Sequence, residues 1–573
     1  MKKIIFLSFI FLVGLFYSCK NDWYEIKPKG QGSPATLTTK TGINYLLTGT
    51  YAVVDGTHLG TDGAVWASSV SNWVWGSVAS DDAYKGSDYG DQATINPVEG
   101  FYADADNGYV ANHWQGLYDG VVRANDVLRY LPDTKDLSDA EKTLAEAQAK
   151  FLRAHFYVEL TLIHGKVPYI DENTETPKTV ANDHMLWPEI EADMKFAAEN
   201  LPESWGGDVG RASRWAAKTY LSRIYLLQGK YSDAKPVLDD VYTNGPFELM
   251  DSYEQNYMIA YNNNKESIFE IQYAANDGAD GSPNAGWGDS LNFPHGVAGM
   301  GTCCGFFQPT HSLVSAYRVG ADGLPMLNDT YTADDMLPYD PDITDATVIK
   351  YDGNVDPRLD HTVGRPGIPF LDWGVQVGIG WVRDATNGGP YLYKKNMFKK
   401  AEKGLATTTG WATGVNPNNF RKFRLAHVIL WLAECEAQIG TLARATSLVN
   451  EIRNRAKNSN VVLLDDGTPA ANYLVEPYPA TFASKEIAMK AIQEEDRLEF
   501  AMEGMRFFDL VRWGIAGSVM NNYLQVEGTK MAHLSGKVFT PGKHEKWPIP
   551  QTQRDLSVDD SGTSVLIQTD GYE

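Results

Sequence analysis

The sequence predicts a mostly α-helical protein, an array of tetratricopeptide-like helical hairpins that carries a large loop-rich subdomain with short strands. Two observations predict this fold class: helix–glycine–helix units that recur along the chain, and two long stretches rich in Gly, Asn, Asp and aromatic residues. The chain has 573 residues, 43% of them hydrophobic, which is enough apolar surface for a large core. A disordered chain is therefore excluded.

The clearest hairpin lies around residue 229. An apolar helical pattern over 220–229 ends in Gly229, and a second helix follows with Ala234, Leu238 and Val241 on its inner face. The same plan recurs from 429 onward with a turn at Gly440, and a fainter copy covers 151–165. Small residues at the crossing let two helices approach closely, which is typical of tetratricopeptide units.

Further helices and the loop regions complete the prediction. Helical spacing predicts helices over 108–131, 181–200 and 485–503, and Ser138 with Glu141 predicts a capping box. A short strand is expected at 267–273. The helical scaffold is assigned to about 40–60, 108–245 and 420–520, and the loop-rich regions to about 60–105 and 245–420. Loops of this length in a compact protein are usually functional.

Residues 1–18 have the pattern of a lipoprotein signal peptide. Two lysines precede an apolar stretch of about 14 residues, which is too short to span about 30 Å of hydrocarbon. The stretch ends in Ser18-Cys19, which resembles a bacterial lipobox, although the preceding Phe16 and Tyr17 are bulkier than usual. We expect Cys19 to carry lipid; an ordinary signal peptidase cleavage is the alternative.

Charge and cysteine content exclude other classes. The formal net charge of −23 argues against nucleic acid as a partner. The cysteines lack zinc-site spacing, so no structural metal is expected. Cys303 and Cys304 are adjacent and form either a vicinal disulfide or two free thiols, whereas Cys435 fits a helical core position.

Clustered aromatic residues indicate a sugar-binding site in the loops. A sugar ring has an apolar face and a rim of hydroxyl groups, so its site needs a flat aromatic surface beside short polar side chains. The alternative is that the tryptophans pack the loops onto the helices. We expect an exposed aromatic platform of Trp73, Trp75, Tyr84 and Trp287, with Asn72, Asp81 and Asp82 bonding the ring hydroxyl groups of the ligand.

Catalysis and cofactors find no support in the sequence. It contains no HExxH, GxSxG, P-loop or dinucleotide-binding motif. A glycosidase needs two suitably spaced carboxylates, and the adjacent Asp81 and Asp82 are more typical of turn or hydrogen-bonding chemistry. No catalytic residue, metal or cofactor is predicted.

Several motifs together resemble the SusD/RagB family of outer-membrane nutrient-binding lipoproteins. The main one is the C-terminal stretch EEDRLEFAMEGMRFFDLVRW at 494–513. The others follow in the family's order: AKFLRAHFY at 149–157, GKVP at 165–168, ESIFEIQ at 266–272, DPRL at 356–359, LAECEA at 432–437, WPIPQ at 547–551 and GY at 571–572. The resemblance therefore covers nearly the whole chain.

The resemblance implies a SusD-like domain over 19–573 with a signature region at about 485–573. It also implies a protein that is not an enzyme, that is anchored to the outer membrane facing the cell exterior, and that passes captured oligosaccharide to a TonB-dependent transporter barrel. A peptide-capturing member of the same architecture is the main alternative, and a secreted glycoside hydrolase is a remote one. The charged residues of the signature are expected to form ion pairs around a corner at Gly504.

Overall fold

The computed structural model describes residues 33–57, 64–279, 284–301, 304–330, 336, 351–408 and 414–573. Long helices dominate these ranges, which confirms the predicted mostly α-helical fold class. The helices are α1 (Pro34–Leu37), α2 (Lys40–Tyr51), α3 (Ala64–Ala67), α4 (Asn96–Glu99), α5 (Gly108–Tyr130), α6 (Asp139–His164), α7 (Trp187–Asn200), α8 (Arg214–Leu227), α9 (Tyr231–Asn244), α10 (His311–Ala316), α11 (Leu359–Thr362), α12 (Ala385–Gly388), α13 (Leu425–Ile439), α14 (Leu442–Asn458), α15 (Lys485–Phe500), α16 (Arg506–Arg512), α17 (Ala516–Glu527) and α18 (Gln551–Leu556).

The predicted hairpins are the pairs α8–α9 and α13–α14. Ala234, Leu238 and Val241 are fully buried on the inner face of α9, as their spacing predicts. Gly229 has a φ of +68°, a left-handed conformation that glycine adopts without strain, and the chain folds back at this point. Helix α9 also packs against α13. Two hairpins far apart in sequence are therefore neighbours in space.

The helix ends differ from prediction by a few residues where local signals are weak. Ser138 and Glu141 form the predicted capping box of α6. Helix α7 begins at Trp187 rather than at residue 181, with a proline in its first turn. Helix α15 ends at Phe500 instead of residue 503, because the chain turns there toward Gly504, whose φ is +76°.

Short strands connect distant loops in pairs. The strands are β1 (Ala83–Gly86), β2 (Ser267–Ile271), β3 (Phe306–Pro309), β4 (Asn354–Val355), β5 (Val363–Gly364), β6 (Leu392–Tyr393), β7 (Phe420–Arg424) and β8 (Asn472–Tyr473). Within the described ranges, β1 pairs antiparallel with β3, with Tyr84 opposite Gln308. Strands β2–β7 and β5–β6 are also antiparallel, and β4–β8 is parallel. The pair β1–β3 joins the first loop region to the second.

The charged residues of the signature form ion pairs inside the protein. Glu499 is fully buried and contacts Arg358 at 3.0 Å, with Arg424 and Arg455 on its other oxygen. Burial alone would raise the pKa of Glu499, but the three guanidinium groups outweigh burial and hold that pKa well below its usual range. The pairing expected from the sequence is present, although in the core rather than on a solvated face.

The corner at Gly504 presses directly against the first loop region. A Cβ atom at Gly504 would lie 1.7 Å from the carbonyl oxygen of Ser71, and one at Gly76 would lie 1.8 Å from the carbonyl oxygen of Gly504. Only glycine fits such a close approach of two backbones. The segment 71–76 is consequently locked against the C-terminal helices.

The cysteines and the anchor are described only in part. Cys435 is fully buried and free, as predicted for a core position. Cys304 is disulfide-bonded. Cys303 and Cys19 lie outside the described residues, so the vicinal disulfide and the lipid anchor stay predictions. Across the described ranges, every helix is too short or too polar to cross a lipid bilayer.

Candidate functional site

Trp73 and Trp75 lie in the protein core, on the π-helical turn Trp73–Val78. Each side chain is 1% exposed. The indole N–H of Trp73 donates a hydrogen bond to the carbonyl oxygen of Gly288 at 3.1 Å. The ring of Trp75 packs edge-on against Trp547, with 5.1 Å between centroids. The prediction that these two tryptophans form an exposed platform is wrong, because distant parts of the chain cover them.

Tyr84 and Asn72 are also enclosed. Tyr84 is fully buried on β1, and its hydroxyl donates a hydrogen bond to the carboxylate of Glu527. The side-chain amide of Asn72 donates to Glu159 at 2.7 Å, and Asn72 is buried. Neither polar group is available to a ligand at the surface, so the expected exposure of these two residues is wrong as well.

Asp81 and Asp82 are structural carboxylates in this fold. Both are buried. Arg506 and Arg497 contact Asp81 at 2.9 and 3.0 Å, and Arg497 also contacts Asp82 at 3.1 Å. Burial raises the pKa of Asp81, but the two guanidinium groups outweigh it and lower that pKa to about 2. The structure therefore contradicts an exposed, hydroxyl-binding role for these two residues.

Trp287 is the one predicted ligand-binding residue of the seven that is half-buried rather than buried. It packs against a small apolar cluster of Ala285 and Val415. Two residues further on, Asp289 accepts hydrogen bonds from the hydroxyl groups of Ser69 and Ser71. Trp287 is thus only partly buried, and its contact with ligand stays a prediction.

Two exposed tyrosines, Tyr89 and Tyr102, lie side by side on the first loop region, and we call them the tyrosine platform. Tyr89 is 52% exposed and Tyr102 is 45% exposed. Partial burial is the main cause that raises the pKa of Tyr102 to about 12, and the adjacent Tyr89 hydroxyl is the second. The Tyr102 phenol is therefore neutral near pH 7, and each of the two rings is an apolar surface with a polar edge.

The turn that carries Tyr89 is held from below by Lys85. Lys85 is fully buried. Its ammonium donates hydrogen bonds to the carbonyl oxygens of Asp88, Tyr89 and Asp91 at 2.9, 3.2 and 2.8 Å. The amide of Asn96 donates a further bond to the Tyr89 carbonyl at 2.9 Å. These bonds fix the backbone of the turn that carries Tyr89.

Tyr102 is held by its neighbour in sequence and by a lysine. Phe101, with a φ of +58°, is buried and packs edge-on against Phe539 at 4.9 Å between centroids. The ammonium of Lys537 lies 4.0 Å from the centroid of the Tyr102 ring. The backbone turn at Phe101 places one ring inward and the next outward, which leaves Tyr102 on the surface.

Arg383 supplies a polar rim to the tyrosine platform from the second loop region. Its guanidinium contacts Asp88 at 2.6 Å and also pairs with Asp91. The Arg383 side chain is 32% exposed. The two loop regions that the sequence singled out therefore meet at this surface, with aromatic rings and charged groups next to each other.

The tyrosine platform was missed by sequence reasoning, which gave weight to tryptophan. A signal was present, since Tyr89 lies in a Ser-Asp-Tyr-Gly turn, and turns of this composition lie on the surface. In general, an aromatic face can stack on the C–H face of a sugar ring, and charged side chains can bond its hydroxyl groups. The arrangement suits a polyhydroxylated ligand.

The described residues offer no metal centre and no accessible carboxyl pair of the predicted kind. No group of three or more His, Cys, Asp or Glu side chains that could hold a metal ion occurs in the ranges the structure describes. Asp81 and Asp82, the pair that a glycosidase interpretation would nominate, are covered and paired with Arg497. Both carboxylates are therefore engaged by arginine side chains.

Comparisons with known families give a consistent result. The SusD family profile matches residues 265–572, which is more than half of the chain. A second profile, described as starch-binding associating with outer membrane, matches residues 22–226. Together the two matches cover both the N-terminal helices and the C-terminal signature.

Individual relatives are distant in sequence but similar over most of their length. A SusD-like protein from Bacteroides ovatus is 25% identical over 428 residues, covering 70% of this chain and 65% of the relative, just under two thirds of it. The starch-binding protein SusD from Bacteroides thetaiotaomicron is 25% identical over 471 residues, covering 78% of this chain and 76% of the relative.

A solved structure shows the same fold. Surface glycan-binding protein A from Bacteroides thetaiotaomicron, in complex with laminarihexaose, is similar with a TM-score of 0.66. The identity is 20%, and the match covers 93% of this chain and 99% of that one. At this level of identity the likeness concerns the fold alone.

Proposed function

Because the chain belongs to the SusD family, we propose that it binds a glycan at the cell surface and delivers it to a transporter in the outer membrane. The observation that carries the proposal is the tyrosine platform, an exposed aromatic pair on a fixed turn beside a charged rim. Relatives named for starch binding, and one solved with laminarihexaose, support a glycan as the ligand class.

The chemistry of the platform explains why stacking has to supply much of the affinity. Each sugar hydroxyl exchanges a hydrogen bond with water for one with protein, and the net gain is only about 0.5–1.5 kcal/mol. Apolar burial against Tyr89 and Tyr102 adds to this without any need for exact hydroxyl geometry. A shallow surface of this kind favours a repeating polymer, along which the protein can bind at many positions.

The proposed role is capture without cleavage. Hydrolysis needs an acid and a nucleophile or base at the glycosidic bond. Two of the carboxylates next to the tyrosine platform, Asp88 and Asp91, both pair with Arg383. A glycan that stacks on the tyrosines therefore meets carboxylates that are engaged by a cation, and we propose that it leaves the protein intact.

Anchoring and delivery complete the proposal. Lipid on Cys19 would hold the protein at the outer membrane, facing the exterior, and a TonB-dependent barrel would import the captured glycan. A binding protein without a pore of its own must hand its ligand to a transporter. The helical hairpins α8–α9 and α13–α14 offer an extended surface for such a partner.

The proposal is tested by binding and by purification. Affinity electrophoresis of the mature protein in gels that contain laminarin, starch, xylan or galactomannan should show retardation by at least one polymer, and that polymer should keep its chain length on incubation. Mild detergent extraction should recover a larger barrel protein with it. Binding to casein peptides and to none of the glycans would overturn the assignment in favour of peptide capture.

A further inference from the structure

A small pocket lies beside Asp289, where the second loop region meets β7, and we call it the Asp289 pocket. Aromatic side chains form much of its wall: Tyr273, Phe293, Tyr393 and Phe420. Its volume is about 30 Å³. A cavity needs about 10–15 Å³ to hold one water molecule, so this pocket accepts a group of about two heavy atoms and excludes a whole sugar ring. Neither residue of the tyrosine platform lines it.

The carboxylate of Asp289 has one oxygen without a partner at this pocket. The hydroxyl groups of Ser69 and Ser71 both donate to Oδ1. Oδ2 has no hydrogen-bond partner in the described part of the chain, and it is not one of the polar atoms sealed from solvent, since Asp289 is only half-buried. The pocket is therefore open to a ligand that bonds Oδ2.

The charge of Asp289 is also unbalanced. No described lysine, arginine or histidine pairs with it. Burial raises the pKa of Asp289 to about 6, which leaves the carboxyl mostly ionised near pH 7. Charged groups withdrawn from water are nearly always paired in proteins, so this carboxylate favours a cationic ligand.

Two tyrosine hydroxyl groups lie close to this carboxylate. Burial, and next the charge of Asp289, raise the pKa of Tyr273 and of Tyr393 well above the usual value. The amide of Asn396 donates a hydrogen bond to the Tyr393 hydroxyl at 3.0 Å and holds it in place. Neither hydroxyl bonds Asp289 directly, because both hydrogen bonds to Asp289 come from serines. A small donor group between them can bond the carboxylate and a hydroxyl oxygen together.

An ammonium group fits this combination better than a hydroxyl group does. It has three donors, which suit Oδ2 of Asp289 and the hydroxyl oxygens of Tyr273 and Tyr393. It also balances the carboxylate charge, and aromatic rings attract cations within about 6 Å. A hydroxyl group supplies one donor and no charge, and an anion is repelled.

We infer that the Asp289 pocket binds the free amino group of an amino sugar in a glycan, with Asp289 and Tyr273 bonding that group. The inference rests on the proposed glycan-binding function but on residues outside the tyrosine platform. An amino group attached directly to a sugar ring enters a shallow pocket while the ring stays outside. Trp287 is half-buried and lies between two lining residues, Gly286 and Asp289, so its ring is next to the pocket.

A lysine side chain of a peptide is the other source of an ammonium group. Its amine lies at the end of a flexible four-carbon stem, and ordering that stem costs free energy on binding. The amine of a sugar ring is already positioned, so the ordering cost is smaller. This difference favours the amino sugar.

The test compares two tetrasaccharides that differ only at nitrogen. The β-1,4-linked glucosamine tetramer carries ammonium groups, whereas its fully N-acetylated form has the same linkage and length without charge. Isothermal titration calorimetry near neutral pH measures their binding to the mature protein. Asp289→Asn removes the carboxylate charge and keeps an oxygen acceptor for both serines. Asp208→Asn is the matched control, because it removes one exposed charge and reports the general attraction of a cation to a protein of net charge −23.

The glucosamine tetramer should bind at least about tenfold more tightly than the N-acetylated form, as expected for hydrogen bonds to a charged group. Asp289→Asn should remove this preference, and Asp208→Asn should keep it. Tyr273→Phe, which removes one acceptor, should weaken binding of the glucosamine tetramer about fivefold.

The inference is overturned if the glucosamine tetramer does not bind, if both tetramers bind equally, or if Asp289→Asn and Asp208→Asn have the same effect. Tighter binding of tetralysine than of the glucosamine tetramer, lost in Asp289→Asn, would also overturn it and would assign the pocket to peptide amines. Retardation of the wild type by a neutral polymer in affinity gels leaves the proposed function standing in each of these cases.

Discussion

Arg506 donates two hydrogen bonds to Asp81, from Nε to Oδ1 at 2.9 Å and from Nη2 to Oδ2 at 3.1 Å, across a separation of 425 residues. Arg497 contacts the same carboxylate at 3.0 Å. These bonds fasten the first loop region to the C-terminal helical corner. Asp81, which the sequence suggests as a sugar ligand, is thus a structural carboxylate. Arg497 and Arg506 of the signature hold the first loop region in place through it.

Replacement of Asp81 should destabilise the protein severely. Asp81→Asn leaves two buried guanidinium groups short of one anion, and breaking a buried pair costs about 3–5 kcal/mol. Urea denaturation followed by circular dichroism measures the free energy of unfolding. Asp208→Asn is the control, since that carboxylate is exposed and its pair with Arg211 contributes at most about 1 kcal/mol. Equal midpoints for the two variants would contradict the structural role.

Truncation of Trp73 should reduce stability rather than ligand affinity. The side chain is buried, so Trp73→Ala removes a large apolar volume and its bond to Gly288, at a cost of about 3–5 kcal/mol. Trp73→Phe keeps part of the volume and should remain folded. Polymer binding by the folded Phe variant, measured by affinity electrophoresis, should equal that of the wild type. A stable variant that fails to bind would restore the predicted role of Trp73 in the ligand site.

The helical scaffold was predictable because its signals are local. Burial of Ala234, Leu238 and Val241 follows from their spacing on one helix, and a glycine marks the turn before them. The capping box at Ser138 is equally local. Sequence pattern therefore suffices for elements whose stability depends on neighbours within one or two turns.

The loops were not predictable to the same degree, because long-range partners decide which aromatic residue is covered. Trp75 packs against Trp547, and β1 pairs with β3 over two hundred residues away. Composition cannot distinguish a tryptophan that contacts a sugar from one that packs against another part of the chain. The exposure of Tyr89 depends likewise on Lys85, which bonds three carbonyl groups of its turn.

Loss of the tyrosine platform should weaken glycan binding without unfolding the protein. Each ring is about half exposed, so Tyr89→Ala and Tyr102→Ala remove contact area for ligand but little core. Each variant should weaken binding of the retarding polymer about tenfold, which corresponds to about 1.4 kcal/mol. Tyr45→Ala is the control, because Tyr45 is 71% exposed and lies on α2. Wild-type affinity in both platform variants would place the polymer site elsewhere.

Replacement of Cys19 should release the protein from the membrane. If the diacylated cysteine is the anchor, Cys19→Ser removes acyl chains whose methylene groups contribute about 0.8 kcal/mol each to membrane binding. Cell fractionation and immunoblotting should then find the variant in the periplasm or the medium. Cys435→Ser is a matched cysteine change at a buried position in α13 and should stay in the membrane fraction. Unchanged fractionation of Cys19→Ser would contradict the lipobox prediction.

Asp289 should make the protein less stable as the pH rises. Burial raises the pKa of this carboxyl from its usual value near 3.8 to about 6, despite hydrogen bonds from Ser71 and Ser69. Between these values the folded protein binds more protons than the unfolded chain, so the free energy of unfolding falls with increasing pH. The loss is complete above about pH 7 and amounts to at most about 3 kcal/mol, at 1.36 kcal/mol per pKa unit.

Asp289→Asn keeps an oxygen acceptor for both serines and has no charge to bury. Urea denaturation at several pH values should therefore show that the free energy of unfolding of the variant increases relative to that of the wild type from about pH 4 to about pH 7. Subtraction of the two curves removes the titration of Asp55, whose pKa burial also raises to about 6. A constant difference over that range, as expected for the exposed Asp208→Asn, would show that Asp289 does not titrate in the folded protein.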